Sequence, residues 1–212
     1  MLKDLHHFAP PADRRNGAGL VVIQEWWGVV EHMRDVARRF AALGYEVALP
    51  DLYHGKATLE AAEAQHLMEG LDWPAATAQL AEAARWLRAE KGCKKVGATG
   101  FCMGGALTVL AGTTGTVDAA VAFYGFPPGL DAGTKCPPTK LWFGEDEGFF
   151  SVPDAQAWAA AQRALGVAGT EVHVYPGAGH AFFNDTRPEA YHRPSAEDAW
   201  RRTTEFFAAQ LA

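Results

Sequence analysis

The chain has 212 residues, of which 49% are hydrophobic and 21% are charged. These proportions are typical of a globular protein and exclude a disordered chain or a fibre, and the length predicts a single domain over 1–212. The net charge of −6 argues against a nucleic-acid partner, which would require a clustered basic face. No stretch approaches the ~20 apolar residues that span a bilayer, so we expect no membrane partner.

Three cysteines, at positions 93, 102 and 136, are too few and too unevenly spaced for a disulfide framework or a zinc site. Residues 1–7 contain no uninterrupted apolar run, so a secretory signal is not expected. We therefore predict a cytoplasmic location, where a reducing environment lets a free thiol persist.

The first half of the chain alternates apolar strands with amphipathic helices. In chain order, the predicted elements are a strand at 20–23, a helix closed by Gly44, a strand at 45–49, a helix at 58–68 ended by Gly70, and a helix capped by Asp72 that runs to about 90. The inner face of the first helix is predicted to contain Met33, Val36, Ala37, Phe40 and Leu43.

The second half continues the alternation. The predicted elements are strands at 95–99, 118–123, 139–143 and 170–175, a helix at 103–111, a helix with Ala155, Trp158, Ala159, Gln162 and Leu165 on its inner face, and a last helix that begins at Ser195 and buries Trp200, Thr203, Phe207 and Leu211. This order predicts an α/β protein with a doubly wound, mainly parallel sheet flanked by helices.

The most informative segment is Gly100-Phe101-Cys102-Met103-Gly104, which lies between a predicted strand and a predicted helix. Glycines two residues before and after one reactive side chain form the nucleophile-elbow pattern, with cysteine in place of the usual serine. The helix N-terminus after Cys102 favours a thiolate. An isolated cysteine is more often a buried core residue, but the flanking glycines favour a nucleophile, and Cys93 and Cys136 have no such setting.

A thiol nucleophile needs a base and an acid that orients the base. His180 follows the strand at 170–175 on a glycine-rich loop, which is where this strand order places a base. His173 lies within that strand, and His192 lies in a polar surface stretch. Three successive carboxylates at 145–147 follow the strand at 139–143, and the residues alone leave open which of them reaches the histidine.

The segment Gln24-Glu25-Trp26-Trp27-Gly28 follows the first strong strand. Its loop can offer the N–H of Trp26 to a developing oxyanion, with the N–H of Met103 as the second donor. Glu25 would then lie beside the thiol. The alternative is that Glu25 is an ordinary loop carboxylate and the tryptophans are core or rim residues.

These segments, together with Pro50-Asp51-Leu52-Tyr53 and Gly177-Ala178-Gly179-His180-Ala181-Phe182, resemble the dienelactone hydrolase (carboxymethylenebutenolidase) family. The resemblance implies an α/β-hydrolase fold and cleavage of a small ester or lactone by a Cys–His–acid triad. It also implies that Glu25 holds the resting thiol neutral until substrate displaces it. The register of the family pattern favours Glu147 as the acid, and a one-residue shift leaves Asp146 as the alternative.

One departure from the family concerns the substrate. The family's best-known members hold a substrate carboxylate with two arginines, but the helix at 58–68 contains no arginine or lysine, and the other position is Asn184. Arg187 lies three residues further on. We therefore expect a substrate that is less anionic, or one that is held differently.

The expected partner is a small-molecule ester or lactone, and the expected assembly is a monomer or a small homo-oligomer. No cofactor and no metal are expected, since the sequence has no P-loop, dinucleotide fingerprint or metal cluster, and His6-His7 and Glu31-His32 are interpreted as solvated pairs. Two other functions remain open. One is acyl transfer to an alcohol or amine, and the other is a non-catalytic binding or sensor protein that uses the reactive Cys102.

Overall fold

The computed structural model describes residues 4–212, which contain seven strands, six α-helices and a single turn of 3-10 helix at Ala12–Arg14. The strands are β1 (Leu5–Phe8), β2 (Ala18–Ile23), β3 (Glu46–Pro50), β4 (Lys95–Phe101), β5 (Ala119–Phe123), β6 (Thr139–Asp146) and β7 (Glu171–Gly179). The helices are α1 (Glu31–Ala42), α2 (Ala61–Glu69), α3 (Trp73–Lys91), α4 (Met103–Thr113), α5 (Val152–Ala164) and α6 (Arg193–Gln210).

All seven strands form one sheet in the order β1-β3-β2-β4-β5-β6-β7, and only β1 runs antiparallel to its neighbour. The chain moves outward from β2 to β3 and then returns to β4, so right-handed crossovers place α1 and α3 on opposite faces. Phe40 of α1 packs against Trp200 and Phe207 of α6, whereas α3 contacts α4. The predicted doubly wound, mainly parallel sheet is confirmed, and the reversal brings the carboxyl ends of β2 and β4 side by side.

Local sequence signals position most helix ends correctly. The side chain of Asp72 accepts a hydrogen bond from the N–H of Ala75 at the start of α3, as predicted. The last helix begins at Arg193 rather than at Ser195, because Pro194 occupies its first turn. Leu43 and Leu165, predicted on inner faces, are 47% and 43% exposed, because each is the residue at which its helix ends.

The interpretation of His6-His7 and Glu31-His32 as solvated pairs is wrong for His7 and His32. His6 and His7 lie on β1, a strand that the sequence analysis missed, and Nε2 of His7 is 2.7 Å from Oε2 of Glu46. His32 is 1% exposed and packs against Phe101 and Phe183, although its neighbour Glu31 is exposed. Nδ1 of His32 lies 3.3 Å from Asp185 but outside hydrogen-bond geometry.

Candidate active site

Cys102 lies at the sharp turn between β4 and α4. Its backbone has φ 56° and ψ −120°, in the region that favours glycine, so this non-glycine residue is held in a strained conformation. A Cβ atom on Gly100 would lie 2.2 Å from the carbonyl oxygen of Gly104, and one on Gly104 would lie 2.3 Å from that of Gln24. The turn therefore requires both glycines because the backbone on each side is too close for a side chain.

His180 and Glu147 form a hydrogen-bonded pair beside this turn. His180 follows β7 and Glu147 follows β6, and Nδ1 of His180 lies 2.9 Å from both carboxylate oxygens of Glu147. Oε1 of Glu147 also accepts hydrogen bonds from the N–H groups of Phe149 (2.9 Å) and Phe150 (3.2 Å). The Glu147 side chain is 1% exposed, so a fully buried carboxylate fixes the ring orientation of His180.

The other two carboxylates of the run point elsewhere. Glu145 and Asp146 are both exposed, and Oε2 of Glu145 accepts a hydrogen bond from the N–H of Gly177. Asp146 is the last residue of β6 and pairs with Gly179 through the sheet register. Of the three carboxylates that the sequence left open, the structure brings Glu147 to His180.

Glu25 is a buried carboxylate with a hydrogen bond to each oxygen. Oε1 accepts from the hydroxyl of Tyr124 at 3.0 Å, and Oε2 accepts from Nδ2 of Asn184 at 2.8 Å. Among the described residues 4–212, no hydrogen bond joins Glu25 to Cys102. Glu25 therefore raises the pKa of the thiol through its negative charge. Burial, followed by the Glu25 charge, raises the pKa of Tyr124 well above its ordinary value, and its hydroxyl remains a donor.

Sequence reasoning missed Tyr124 and the role of Asn184. Tyr124 follows β5 and has φ 37°, but no local motif marks it. Asn184 was noted only as the residue at a position where an arginine was expected. Its buried amide and the hydroxyl of Tyr124 come from positions far along the chain from Glu25, and only the fold brings the three together.

Burial raises the pKa of the Cys102 thiol to about 12, and the negative charge of Glu25 is the second cause. The N–H groups of Met103 and Trp26 act on the sulfur in the opposite direction, and Glu147 adds a further small increase. The resting thiol is therefore neutral, against the expectation from the helix terminus alone. The two backbone groups predicted as oxyanion donors both lie close to the sulfur.

A cavity of about 660 Å³ opens over Cys102 and His180. Helix α2 contributes Ala61, Gln65, Met68 and Glu69 to its wall, and Arg187 also lines it. Phe149 is 71% exposed, and the centre of its ring lies 4.6 Å from that of the His180 imidazole, so it covers one side of this ring. The aromatic residues that line the cavity are Trp26, Trp27, Trp73, Phe149 and Phe150.

The remaining candidate groups lie outside this cavity. Cys93 and Cys136 are buried free cysteines. No cluster of three metal-binding side chains occurs between residues 4 and 212. In the same range, no helix combines the length and apolar character needed to cross a membrane.

Comparison with known proteins agrees with the resemblance seen in the sequence. The model of the dienelactone hydrolase family matches residues 6–211. A protein of Escherichia coli K12, provisionally named carboxymethylenebutenolidase, is 36% identical over 209 residues, which span 89% of this chain and 75% of the relative. Protein usf of Aquifex pyrophilus is 33% identical over 210 residues, which span 92% of this chain and 89% of the relative.

A crystal structure from Klebsiella pneumoniae, provisionally described as a dienelactone hydrolase, is similar over almost the whole chain. The two structures align with a TM-score of 0.80 and 30% sequence identity. The alignment covers 96% of this chain and 92% of the other.

Proposed function

Because the chain belongs to the dienelactone hydrolase family and has its α/β-hydrolase fold, we propose that it hydrolyses a carboxylic ester or lactone through an acyl-enzyme on Cys102. One observation carries this proposal: a strained cysteine at a strand–helix turn lines the same cavity as His180, which is hydrogen-bonded to the buried Glu147. In this mechanism Cys102 is the nucleophile, His180 the base and Glu147 the acid that orients it.

The first step is activation of a neutral thiol. Nδ1 of His180 is bound to Glu147, so Nε2 is the nitrogen that accepts the thiol proton. The N–H groups of Trp26 and Met103 act on the resting sulfur. A substrate carbonyl oxygen competes for these two N–H groups, and its entry releases the sulfur toward His180. Glu147 then stabilises the imidazolium that forms.

The thiolate attacks the carbonyl carbon, and the N–H groups of Trp26 and Met103 bind the oxyanion. Each such donor contributes on the order of 3 kcal/mol of transition-state stabilisation. Collapse of the tetrahedral intermediate breaks the C–O bond, and the imidazolium gives its proton to the leaving alkoxide. His180 then takes a proton from water, the hydroxide attacks the thioester, and the carboxylic acid leaves with Cys102 protonated again.

The proposal also includes a cytoplasmic location and a single domain. A nucleophilic Cys102 must stay reduced, which supports the cytoplasmic location expected from the sequence. A single sheet joins β1 to β7, which supports one domain over 1–212.

The test is turnover of a panel of 4-nitrophenyl esters and lactones by the purified protein and two variants. Cys102→Ala should abolish turnover, whereas Cys136→Ala, which removes another buried free thiol, should retain it. Ester turnover that survives Cys102→Ala would refute the mechanism. Transfer of the acyl group to added alcohols or amines in preference to water would indicate an acyltransferase, and a stable acyl-cysteine without turnover would indicate a binding or sensor protein.

A further inference from the structure

The cavity wall is mainly apolar and includes flat aromatic side chains. Three tryptophans and two phenylalanines line it, together with Met68, Ala61, Pro128, Ala181 and Ala190. Its volume of about 660 Å³ lies in the middle of the range, roughly 300 to 1,000 Å³, of sites that enclose small organic molecules. Such a wall gains most from burying apolar or aromatic surface.

The charged groups around the cavity are mainly acidic. Of the two glutamates that line it, Glu25 is buried and therefore lies at the inner end, whereas Glu69 is exposed and lies at the mouth; Glu147 is buried behind His180. The wall formed by α2 contributes Glu69 and no basic residue. A substrate carboxylate would therefore enter a partly dehydrated space that already holds like charges, which is unfavourable.

Arg187 and Asn184 could offset the negative charge of these carboxylates, but each already binds a glutamate of the protein. Nε and Nη2 of Arg187 each lie 2.9 Å from Oε1 of Glu189, and the guanidinium lies 5.2 Å from the ring centre of Trp27. The amide of Asn184 donates to Glu25. Within residues 4–212, Arg187 is the only lysine or arginine that lines the cavity.

We propose that the site selects uncharged esters or lactones that carry a bulky apolar or aromatic group, and discriminates against anionic ones. This substrate class rests on the proposed hydrolase function. The aromatic wall supplies binding, and the carboxylates at both ends of the cavity supply the discrimination.

The charge preference is tested with 4-nitrophenyl heptanoate and the 4-nitrophenyl half ester of adipic acid, which have similar chain lengths and differ mainly by one carboxylate. After subtraction of the enzyme-free rate, kcat/KM for the heptanoate should be larger by at least about tenfold. Glu69→Gln should reduce this ratio by roughly two- to fivefold, because it removes the charge at the mouth. Glu63→Gln, the same change at an exposed position of α2 outside the cavity, should leave the ratio unchanged.

The aromatic preference is tested with 4-nitrophenyl 4-phenylbutyrate against 4-nitrophenyl butyrate. The phenyl group should raise kcat/KM by about tenfold, and Trp73→Ala should remove most of that gain. Trp86→Ala is the matched control, because Trp86 is a half-buried tryptophan on the same helix, outside the cavity.

Equal or faster cleavage of the adipate ester would overturn this substrate class and leave the hydrolase function intact. Selective loss of that cleavage in Arg187→Met would then identify Arg187 as a carboxylate anchor. The proposed preference for aromatic substrates is wrong if the phenyl group does not raise kcat/KM. It is also wrong if Trp86→Ala removes that increase as fully as Trp73→Ala does. If no ester is turned over at all, the proposed function itself fails.

Discussion

The protonation state of the Cys102 thiol determines how reactive the resting enzyme is toward electrophiles. Its pKa is raised to about 12, so at pH 8 the thiolate should form a far smaller fraction than in an ordinary cysteine, where it is roughly a quarter. We predict that alkylation of Cys102 by iodoacetamide is slow at pH 8 and rises without a plateau up to pH 10. Peptide mass spectrometry resolves Cys102 from Cys93 and Cys136.

The charge of Glu25 is one cause of this raised pKa, so its removal should lower the pKa. We predict that Glu25→Gln speeds alkylation of Cys102 at pH 8 several-fold, since the isosteric amide can still contact Tyr124 and Asn184. A plateau below pH 9 in the unmodified protein, or slower alkylation in Glu25→Gln, would contradict this account of the thiol.

Glu147 and Asp146 are adjacent carboxylates that the proposal treats differently. Glu147→Gln should lower kcat for ester hydrolysis by roughly two to four orders of magnitude, because the imidazolium loses its counter-charge and the ring its fixed tautomer. Asp146→Asn, at an exposed neighbouring position, should change kcat by less than about twofold. The reverse ranking of the two kcat values would assign the acid to Asp146.

The turn between β4 and α4 brings backbone segments so close together that a methyl group does not fit at Gly104. We predict that Gly104→Ala destabilises the fold by roughly 2 kcal/mol or more, because the new Cβ would meet the backbone of Gln24 and Ile23. This corresponds to a fall in Tm of about 4–8 °C. Gly148→Ala, where the Cβ meets nothing within 4 Å, should leave the Tm almost unchanged, and equal losses would refute the packing argument.

Periodicity and end signals predicted nearly every helix and strand, because burial on one face imposes its spacing on the sequence. The errors fall where burial depends on distant residues. Leu43 and Leu165 continue an apolar pattern, but each helix has ended by that point. Strand β1 contains His6 and His7, a polar pair that gives no strand signal, and it exists because β3 offers it an edge.

The residues of the candidate site also fall into those that a local motif marks and those that only the fold brings together. The sequence could single out Cys102 and His180 as candidates because a glycine-flanked turn and a loop after a strand are local features. Which of the three adjacent carboxylates contacts His180 could be seen only in the coordinates, since the three differ only in the direction of their side chains. Tyr124 and Asn184 could not be linked to Glu25, because 99 and 159 residues of chain separate them from it.

Carboxylates at the surface make the stability of the fold depend on pH. Burial alone would raise the pKa of Asp198, but hydrogen bonds from Arg201 and Arg202 lower it, and a hydrogen bond from Lys140 lowers the pKa of Glu171. Groups with a lowered folded-state pKa stabilise the fold above their unfolded pKa of about 4, and that contribution is lost as the pH falls.

We therefore predict that the Tm measured by calorimetry falls between pH 6 and pH 3. Asp198→Asn should lower the Tm at pH 6 and make its fall with pH smaller, because the amide does not titrate and carries no charge to pair with Arg201 and Arg202. Glu90→Gln, at an exposed carboxylate with no salt bridge to any residue in 4–212, should leave the curve unchanged. An Asp198→Asn curve parallel to that of the unmodified protein would show that this carboxylate does not contribute.

Rapid acid quench of the protein during turnover of 4-nitrophenyl acetate, followed by peptide mass spectrometry, tests whether an acyl-enzyme forms on Cys102. The proposed mechanism predicts one acetyl group on Cys102 that forms during turnover and disappears when the ester is exhausted. Turnover without acetylation of Cys102, or with acetylation at another residue, would contradict it.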